Sequence, residues 1–274
     1  MIFAGKALDI TQCHVMGVLN VTPDSFSDGG RFNQLDSALV RAREMVADGA
    51  AFIDVGGEST RPGATPVSLQ EELDRVCPVV EAIRADLDVI VSVDTSAPEV
   101  MAETIALGAG MINDIRALQR PGAAEEMARH EVPVCIMHIQ GEPDHMQDNP
   151  TYRNVCQDVA SFLSERLRAI ESAGVDAGRI ILDPGFGFGK TVRHNFQLLN
   201  ALEALRQLGH PLLVGMSRKS MLGHVTGREL GERLSASLAA ATIAAMKGVF
   251  VIRAHDVRET VDAVKIVTAM EEAR

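Results

Sequence analysis

Short apolar runs recur along the chain, and each of them ends at a polar or charged residue. There are eight such runs, and the ends of consecutive runs lie 19 to 45 residues apart. A run without polar alternation is typical of a strand that is buried on both faces, as in a parallel sheet. The pattern therefore predicts eight strands, whose last residues are Asn20, Asp54, Asp94, Asn113, His138, Asp183, Ser217 and Arg253.

Helical periodicity fills the segments between these strands. After the first strand, apolar side chains fall on one helix face, and Gly49 stands where a C-terminal cap is expected. The last helix opens with Asp256 and Glu259, a variant of the capping box, and its valines form one stripe. Eight successive strand–helix units predict an α/β fold, a single (β/α)8 TIM barrel over residues 1–274. A doubly wound open sheet is the alternative, but that fold usually has fewer strands and carries a nucleotide fingerprint.

The segment before the first strand predicts a small hairpin. Residues 2–12 contain a turn signal at positions 4–6, and we expect this hairpin to close the bottom of the barrel. No linker, low-complexity tract or block of like charge marks a second domain. A chain of 274 residues, 46% of them hydrophobic, is long enough for one large domain.

Charge and cysteine usage narrow the functional classes. A net charge of −11 argues against a nucleic-acid partner and against an anionic membrane surface. The four cysteines show neither a C-x-x-C pair nor zinc spacing, and no basic segment precedes an apolar stretch at the N-terminus. We therefore expect reduced thiols in a cytoplasmic protein. An anionic small molecule would need a local cluster of cations in so acidic a chain.

The glycine-rich stretch after Asp183, PGFGFGK, is the first candidate site loop. It does not fit a P-loop, because the required first glycine falls on Pro184. It does not fit the dinucleotide fingerprint either, because its glycines are spaced G-x-G-x-G. A carboxylate at the end of a buried strand, followed by a loop that a ligand can approach closely, suggests a binding site of another kind. A capped strand with a tight turn is the alternative interpretation.

The strand ends supply two kinds of chemistry. In a TIM barrel these ends form the face that holds the active site. Asp94, Asn113 and Asp183 would suit a flat ligand with adjacent N–H donors, because a carboxylate can accept two parallel hydrogen bonds. Because side chains alternate along a strand, we expect Ser217 and Lys219 to share one side. The same alternation places Arg253 and His255 on one side of their strand. The donors expected to bind an anion are Arg253, His255, Arg61 and Lys219.

Other polar residues invite separate interpretations. Asn20 offers a neutral oxygen that could join a Mg²⁺ ion already bound to phosphate. His14 and His138 are expected to be structural histidines. Phe186 and Phe188 would form an apolar wall for an aromatic ring if their loop lines a site.

Several stretches, in order over nearly the whole chain, resemble the dihydropteroate synthase family. They are residues 16–30 (MGVLNVTPDSFSDGG), 54–63 (DVGGESTRPG), 93–95 (VDT), 112–115 (INDI), 137–138 (MH), 183–190 (DPGFGFGK), 215–220 (GMSRKS) and 253–256 (RAHD). The resemblance implies a homodimeric pterin-binding TIM barrel, a transferase of folate biosynthesis and a sulfonamide target. Its substrates would be (7,8-dihydropterin-6-yl)methyl diphosphate and 4-aminobenzoate, and its products 7,8-dihydropteroate and pyrophosphate.

The same resemblance implies a role for individual residues. The pterin would be held by Asp94, Asn113, Met137, Asp183 and Lys219. The diphosphate would be held by Thr60, Arg61, Arg253 and His255, with the cofactor Mg²⁺ on Asn20. The 4-aminobenzoate site would be lined by Thr60, Pro62, Phe188, Lys219 and Ser220. The catalytic residues would be Asp94, Asp183, Lys219, Arg253 and His255. Asp144–His145 stands where a more basic or hydroxyl-bearing pair is expected.

Three alternatives to this function are open. A methyltetrahydrofolate-binding methyltransferase barrel shares the pterin pocket, but it should lack the Thr60–Pro62 loop and the Arg253/His255 pair. A Schiff-base aldolase using Lys219 is disfavoured, because Lys219 is expected beside cations and not in an apolar pocket that lowers its pKa. The non-enzyme alternative is a non-catalytic paralogue that binds pterin alone. Pyrophosphate release on mixing both substrates would separate it from the synthase.

Overall fold

Eight parallel strands alternate with helices along the chain in this computed structural model, which describes residues 1–22, 31–58 and 67–273. Two short strands come first, β1 (Ile2–Phe3) and β2 (Lys6–Ala7), which form a separate sheet. The eight parallel strands are β3 (His14–Asn20), β4 (Phe52–Gly56), β5 (Ile90–Asp94), β6 (Met111–Asp114), β7 (Val134–Met137), β8 (Ile180–Asp183), β9 (Leu213–Val214) and β10 (Val251–Ala254). The helices are α1 (Arg31–Ala47), α2 (Leu69–Asp86), α3 (Pro98–Ala106), α4 (Ala123–Ala128), α5 (Val155–Ser172), α6 (Val192–Asn200), α7 (Leu202–Arg206), α8 (Ser220–Thr226), α9 (Leu234–Met246) and α10 (Val257–Glu272).

The parallel strands close into a barrel. Their order in the sheet is β8-β7-β6-β5-β4-β3-β10-β9. A parallel bridge between Leu182 and Leu212 joins the two outer strands, and Leu182 N donates to the carbonyl of Pro211 at 3.0 Å. Because every strand is parallel, all carboxyl ends face the same pole. The predicted TIM barrel is confirmed.

Two apolar cores follow from the alternation of side chains along the strands. Ile53, Val91 and Ile112 belong to the larger core, together with the apolar faces of the surrounding helices. Their strand neighbours Phe52 and Ile90 belong to a second cluster. This second cluster fills the barrel interior, so the strands are apolar on both sides.

The N-terminal hairpin closes the bottom of the barrel, as expected. Strands β1 and β2 pair antiparallel, and the Phe3 side chain is fully buried in the inner cluster. Its ring centroid lies 5.0 Å from that of Phe52, edge to face, and 6.1 Å from that of Phe250. Aromatic rings in these arrangements are favourable beyond their buried area.

Two local predictions were wrong. The strand expected to reach Ser217 ends at Val214, and the chain then turns at Arg218, which has a left-handed φ of 59°. The Asp256 side chain caps no N–H group of α10, because its carboxylate is bound to Arg218 instead, with one contact of 3.0 Å. The buried face of α10 was predicted correctly, and it carries Val257, Val261, Val264 and Val267.

Among the helices of the described segments, none has the length and apolar character that a membrane-spanning helix requires.

Replacement of Phe3 by alanine should leave a cavity in the inner cluster, where its ring closes the bottom of the barrel. We expect F3A to lower the free energy of unfolding by about 3–5 kcal/mol, the usual cost of deleting a buried phenylalanine ring. The free energy can be measured by urea unfolding. Ile2, which is 65% exposed, provides the control. I2A should change stability by no more than about 0.5 kcal/mol, and equal effects of the two variants would contradict this role of Phe3.

Candidate active site

Arg253 on β10 joins two carboxylates at the carboxyl end of the barrel. Its Nε donates to Asp54 Oδ2 at 2.6 Å, and its Nη2 donates to Asp94 Oδ2 at 3.2 Å. The partners stand on β4 and β5, which are separated from β10 by β3. The side chain therefore reaches across the mouth of the barrel. Within the described residues, its Nη1 atom has no hydrogen-bond partner.

Asp54 is the deeper of the two carboxylates and is fully buried. Besides Arg253, it accepts a hydrogen bond from Ser92 Oγ at 2.6 Å and one from Asn113 Nδ2 at 3.3 Å. It lies beside Ser92 in the sheet, whereas Asp94 lies beside Gly56, two residues further along β4. Asp54 was recognised as a strand end but not as a site residue. Like Asp94, it is an aspartate that ends a predicted apolar run, and this shared position could have identified it as a site residue.

Asp94 lies above this buried network and is easier to protonate than an ordinary aspartate. Burial, followed by the negative charge of Asp54, raises its pKa to about 7, although the positive charge of Arg253 opposes the change. Asp94 is also beside Asn113 across the β5–β6 pair. The mouth therefore presents a carboxylate and an amide at the same level.

Asp183 at the end of β8 completes the acceptors. It is buried, and its Oδ1 accepts the amide of Gly185 at 2.7 Å. Burial raises its pKa, while that hydrogen bond and the charges of Lys219, Lys190 and Arg253 oppose the rise. Arg253 therefore acts on the carboxylates of both Asp183 and Asp94.

Lys219 lies between the glycine-rich loop and Arg253. Its Nζ donates to the carbonyl of Phe186 and lies 4.7 Å from the ring centroid of Phe188. A Cβ atom at Gly215 would be 3.8 Å from Arg253 Cβ and 4.0 Å from Lys219 Nζ, so the two cations flank this glycine.

Lys219 lies beside a cation, as expected, but the expectation that it has no pocket that lowers its pKa was wrong. Burial lowers the pKa of Lys219 to about 8, and the charge of Arg253 lowers it further, against the opposing effect of Asp183. A neighbouring cation and a desolvated pocket act in the same direction on an ammonium group. This nitrogen therefore loses its proton more easily than a surface lysine does.

His255 follows β10 and faces Ser217. Its Nδ1 lies 3.1 Å from Ser217 Oγ, and its backbone N–H donates to the same oxygen at 3.2 Å. Burial first, and then the charges of Arg253 and Arg218, lower the pKa of His255 to about 4. The imidazole is therefore neutral at neutral pH.

Asn20 stands at the end of β3, at the rim of the mouth. The Asn20 Oδ1 atom and the Asp94 Cβ atom would lie 3.7 and 3.5 Å from a Cβ atom added at Gly56. Gly56 thus keeps the space between them open. No hydrogen-bond partner of the Asn20 side chain exists within residues 1–22, 31–58 and 67–273. No group of three or more His, Cys, Asp or Glu side chains in those residues could hold a metal ion.

His138 is structural, as expected, and its partner is Lys190. The Lys190 Nζ atom lies 2.9 Å from His138 Nδ1 and donates to the carbonyl of Phe188, also at 2.9 Å. Lys190 is only 3% exposed. Burial lowers the pKa of both side chains, that of His138 to about 3. Lys190 therefore fastens the glycine-rich loop, a role that the sequence did not suggest.

The structure brings most of the predicted site residues to one pole of the barrel. Met137 is buried at the end of β7, Phe188 is half-buried in the glycine-rich loop, and Ser220 is exposed at the start of α8. Thr60, Arg61 and Pro62 lie outside the described residues. The predicted residues placed at this pole are Asn20, Asp94, Asn113, Met137, Asp183, Phe188, Lys219, Ser220, Arg253 and His255.

Comparison with known proteins agrees with this geometry. The model of the pterin-binding enzyme family matches residues 16–255. The chain belongs to this family. The dihydropteroate synthase of Escherichia coli K12 is 53% identical over 270 residues, which cover 98% of this chain and 96% of that protein.

Solved structures extend the comparison to the fold. The Yersinia pestis dihydropteroate synthase, solved in a sulfonamide drug complex, has a TM-score of 0.95 and 51% identity and covers 99% of each chain. The Xanthomonas albilineans dihydropteroate synthase, solved with 4-aminobenzoic acid, has a TM-score of 0.93 and 47% identity. It covers 98% of this chain and 96% of its own. The resemblance to dihydropteroate synthases inferred from the sequence motifs is confirmed.

Removal of the Asp54 charge should change the titration of Asp94. In D54N the pKa of Asp94 should fall from about 7 toward the ordinary aspartate range, because a neighbouring negative charge is gone and Arg253 is free to pair with Asp94 alone. Carbon-detected NMR of the side-chain carboxyl groups measures this pKa. D262N, at an exposed position of α10, should leave it unchanged. An unaltered Asp94 titration in D54N would show that the two carboxylates are not coupled.

Proposed function

We propose that this protein is a dihydropteroate synthase, which joins (7,8-dihydropterin-6-yl)methyl diphosphate to 4-aminobenzoate and releases pyrophosphate. The proposal rests on one observation: hydrogen-bond acceptors for a flat ring rich in N–H groups lie at the same barrel mouth as cations that can bind a leaving anion. The acceptors are Asp94, Asn113 and Asp183, and the cations are Arg253 and Lys219. Membership of the pterin-binding enzyme family supports the same function.

The pterin would lie on the inner side of the mouth. Asp94 is half-buried and Asp183 is buried, and both carboxylates have raised pKa values, so parallel N–H donors from a ligand would replace missing solvation. Asn113 contributes an amide whose Nδ2 is already turned to Asp54, which leaves its oxygen for the ligand. Met137 supplies an apolar surface beside them.

The diphosphate would lie toward the rim. Arg253 has one nitrogen, Nη1, that the carboxylates do not use, and neutral His255 can donate through a ring N–H. Thr60 and Arg61 are proposed to add donors from the second strand–helix loop. Preorganised cations near the leaving oxygen stabilise the charge that develops there.

Asn20 is proposed as the protein ligand of Mg²⁺. Its side-chain oxygen is neutral, and the residues of the described part of the chain leave it without a partner, which suits an ion that binds few protein groups and takes further oxygens from phosphate. When bound, Mg²⁺ would neutralise charge on the diphosphate and favour its departure.

4-Aminobenzoate would occupy the outer part of the mouth. Phe188 and the aliphatic chain of Lys219 form an apolar wall, and Ser220 lies at the N-terminal end of α8, beside Lys219. Thr60 and Pro62 are proposed to contribute to the same site. The Xanthomonas albilineans relative was solved with this compound, which supports the assignment.

The reaction is proposed to proceed by loss of pyrophosphate before attack of the amine. The C–O bond to the diphosphate would break, the electron pair leaving with pyrophosphate, and the resulting pterin methylene cation would be stabilised by the carboxylates Asp94 and Asp183. The amine nitrogen would then attack the methylene carbon and lose a proton. Such a step requires no protein nucleophile. A covalent role for Lys219 is unnecessary although its pKa is lowered.

The protein is further proposed to be a cytoplasmic homodimer. Ala239, Ile243 and Met246 lie on one exposed face of α9, and Ile266 and Met270 are exposed on the adjacent α10. A surface with this many exposed apolar side chains is suited to burial against a second copy.

The proposed function is tested by mixing both substrates with the purified protein. Dihydropteroate and pyrophosphate should form in equal amounts and only when the protein is present. Binding of the pterin diphosphate without product formation would instead identify a non-catalytic pterin-binding protein.

Lys219 provides a specific test of the site. K219A should weaken pterin affinity and lower kcat together, each about 10- to 100-fold, the cost of losing a charged hydrogen-bond donor. Calorimetry and steady-state kinetics measure the two effects. K265A, at an exposed position of α10, serves as the control. Unchanged pterin affinity in K219A would remove Lys219 from the site.

The order of bond breaking is tested by omitting the amine. We expect pyrophosphate to be released from the pterin diphosphate when benzoate replaces 4-aminobenzoate, with water capturing the cation. Release that occurs only with the true amine would indicate direct displacement. Quantification of pyrophosphate by a coupled assay distinguishes the two outcomes.

A further inference from the structure

The backbone of the glycine-rich loop is held by side chains from three parts of the chain. Four consecutive carbonyl groups, those of residues 186–189, each accept a hydrogen bond from a different side chain. The donors pair with the carbonyls as Lys219 with Phe186, Gln147 with Gly187, Lys190 with Phe188, and Tyr152 with Gly189. Two of these donors, Gln147 and Tyr152, belong to the connection between β7 and α5, for which the proposed mechanism has no role.

That connection is itself a braced structure. Gln140 Nε2 donates to the carbonyl of Thr151 at 2.8 Å, and Thr151 N donates to Gln140 Oε1 at 3.0 Å. This pair of hydrogen bonds ties the two ends of the segment 141–150 together. Met146, in the middle of the segment, is only 5% exposed and anchors it to the protein. Gln147 and Tyr152 are therefore presented from a fixed base.

The glycine-rich loop lies directly against this base. A Cβ atom at Gly189 would be 2.4 Å from the Gln140 carbonyl oxygen, and one at Gly185 would be 1.8 Å from that of His138. Both glycines also have positive φ values, of 62° and 71°. Only glycine allows the two backbones to come this close. A displacement of the β7–α5 connection would therefore be transmitted to the loop.

Tyr152 is well suited to a permanent hydrogen-bond donor. Its hydroxyl donates to Gly189 O at 2.7 Å, and its ring centroid lies 4.9 Å from that of His194 and 6.0 Å from that of His138. Burial raises the pKa of its hydroxyl above the ordinary tyrosine value. The hydroxyl therefore stays protonated at neutral pH.

We propose that Gln147 and Tyr152 are positioning residues for the 4-aminobenzoate site. They hold the carbonyl groups on either side of Phe188 and so keep its ring, the proposed apolar wall, in the orientation that receives the aromatic amine. This inference rests on the proposed function. It gives the segment 140–152 a role in recognising the second substrate, although its residues have not been assigned to the site.

Gln147 and Tyr152 should increase the fraction of molecules in which the glycine-rich loop has the conformation that binds 4-aminobenzoate. A loop that samples other conformations binds its ligand more weakly, in proportion to the competent fraction. Of the proposed pterin residues, Asp94 and Asn113 stand on β5 and β6, away from this loop. Asp183 and Lys219 contact the first part of the loop, at Gly185 N and Phe186 O, and not the carbonyl groups that Gln147 and Tyr152 hold. Loss of Gln147 or Tyr152 should therefore raise KM for 4-aminobenzoate more than KM for the pterin diphosphate.

The test uses substitutions that keep shape and remove only the donor. Y152F retains the ring packing, and Q147E retains the size of the side chain but cannot donate to Gly187 O. Loss of one hydrogen bond should raise KM for 4-aminobenzoate about three- to tenfold. KM for the pterin diphosphate should change less than about twofold, because its proposed binding residues do not contact the substituted side chains. Q157E, at an exposed position of α5, is the matched control.

A second readout does not depend on turnover. Tyr152 is the only tyrosine of the chain, and there is no tryptophan. A sample labelled at the tyrosine ring therefore gives one NMR signal, which 4-aminobenzoate should shift in the wild-type protein and in Q157E. In Q147E the same shift should require about three- to tenfold more ligand.

The outcomes separate this inference from the proposed function. If the wild-type protein forms no dihydropteroate, the proposed function fails. If it is active but Y152F and Q147E keep the wild-type KM for 4-aminobenzoate, the positioning role is overturned. It is also overturned if KM rises equally for both substrates, or if stability falls while neither KM changes, because these results indicate a general structural role.

Discussion

The ion pairs of Arg253 with Asp54 and Asp94 are the interaction on which the mouth of this barrel depends. Burial of a carboxylate without a partner costs far more than the site could tolerate, whereas a shared guanidinium satisfies two at once. The pairs span from β10 over β3 to β4 and β5, which are successive neighbours in the sheet. They therefore tie together the carboxyl ends of strands that are far apart in the sequence.

Burial at the mouth, together with these charges, explains the unusual titration of its surroundings. Burial, and then the negative charge of Asp54, raise the pKa of Asp94, and Arg253 opposes them. Burial also lowers the pKa values of Lys219 and His255, and the charge of Arg253 lowers them further. A site with these properties can exchange its internal pairings for those of a ligand at small cost. Groups with perturbed pKa values are typical of functional sites for this reason.

Glycines, and side chains that donate hydrogen bonds to the glycine-rich loop, determine the shape of the mouth. Gly56 and Gly215 leave room between polar side chains, and the loop after Asp183 lies where only glycine fits against the neighbouring backbone. One side chain of this loop, Phe186, is fully buried in the larger core and not part of a wall around a ligand. The conformation of the loop is determined by donors from elsewhere, among them buried Lys190 and half-buried Tyr152.

Much of this arrangement could be predicted from the sequence, and the exceptions have a common cause. The eight strands and the polar ends follow from apolar runs, which are local patterns. The pairing of Asp256 with Arg218 and the role of Asp54 depend on contacts between distant parts of the chain. The pKa of Lys219 depends on its burial by the folded loop. A single sequence does not reveal these distances, although each residue type was compatible with them.

The proposed reaction requires that the acceptors and the cations of the mouth bind one ligand. A crystal structure with a pterin diphosphate analogue bound would reveal this. We expect the pterin N–H groups to lie within hydrogen-bond distance of Asp94 and Asp183, while the diphosphate contacts Arg253 and His255. A pterin bound outside the barrel mouth, or a diphosphate directed away from Arg253, would contradict this expectation.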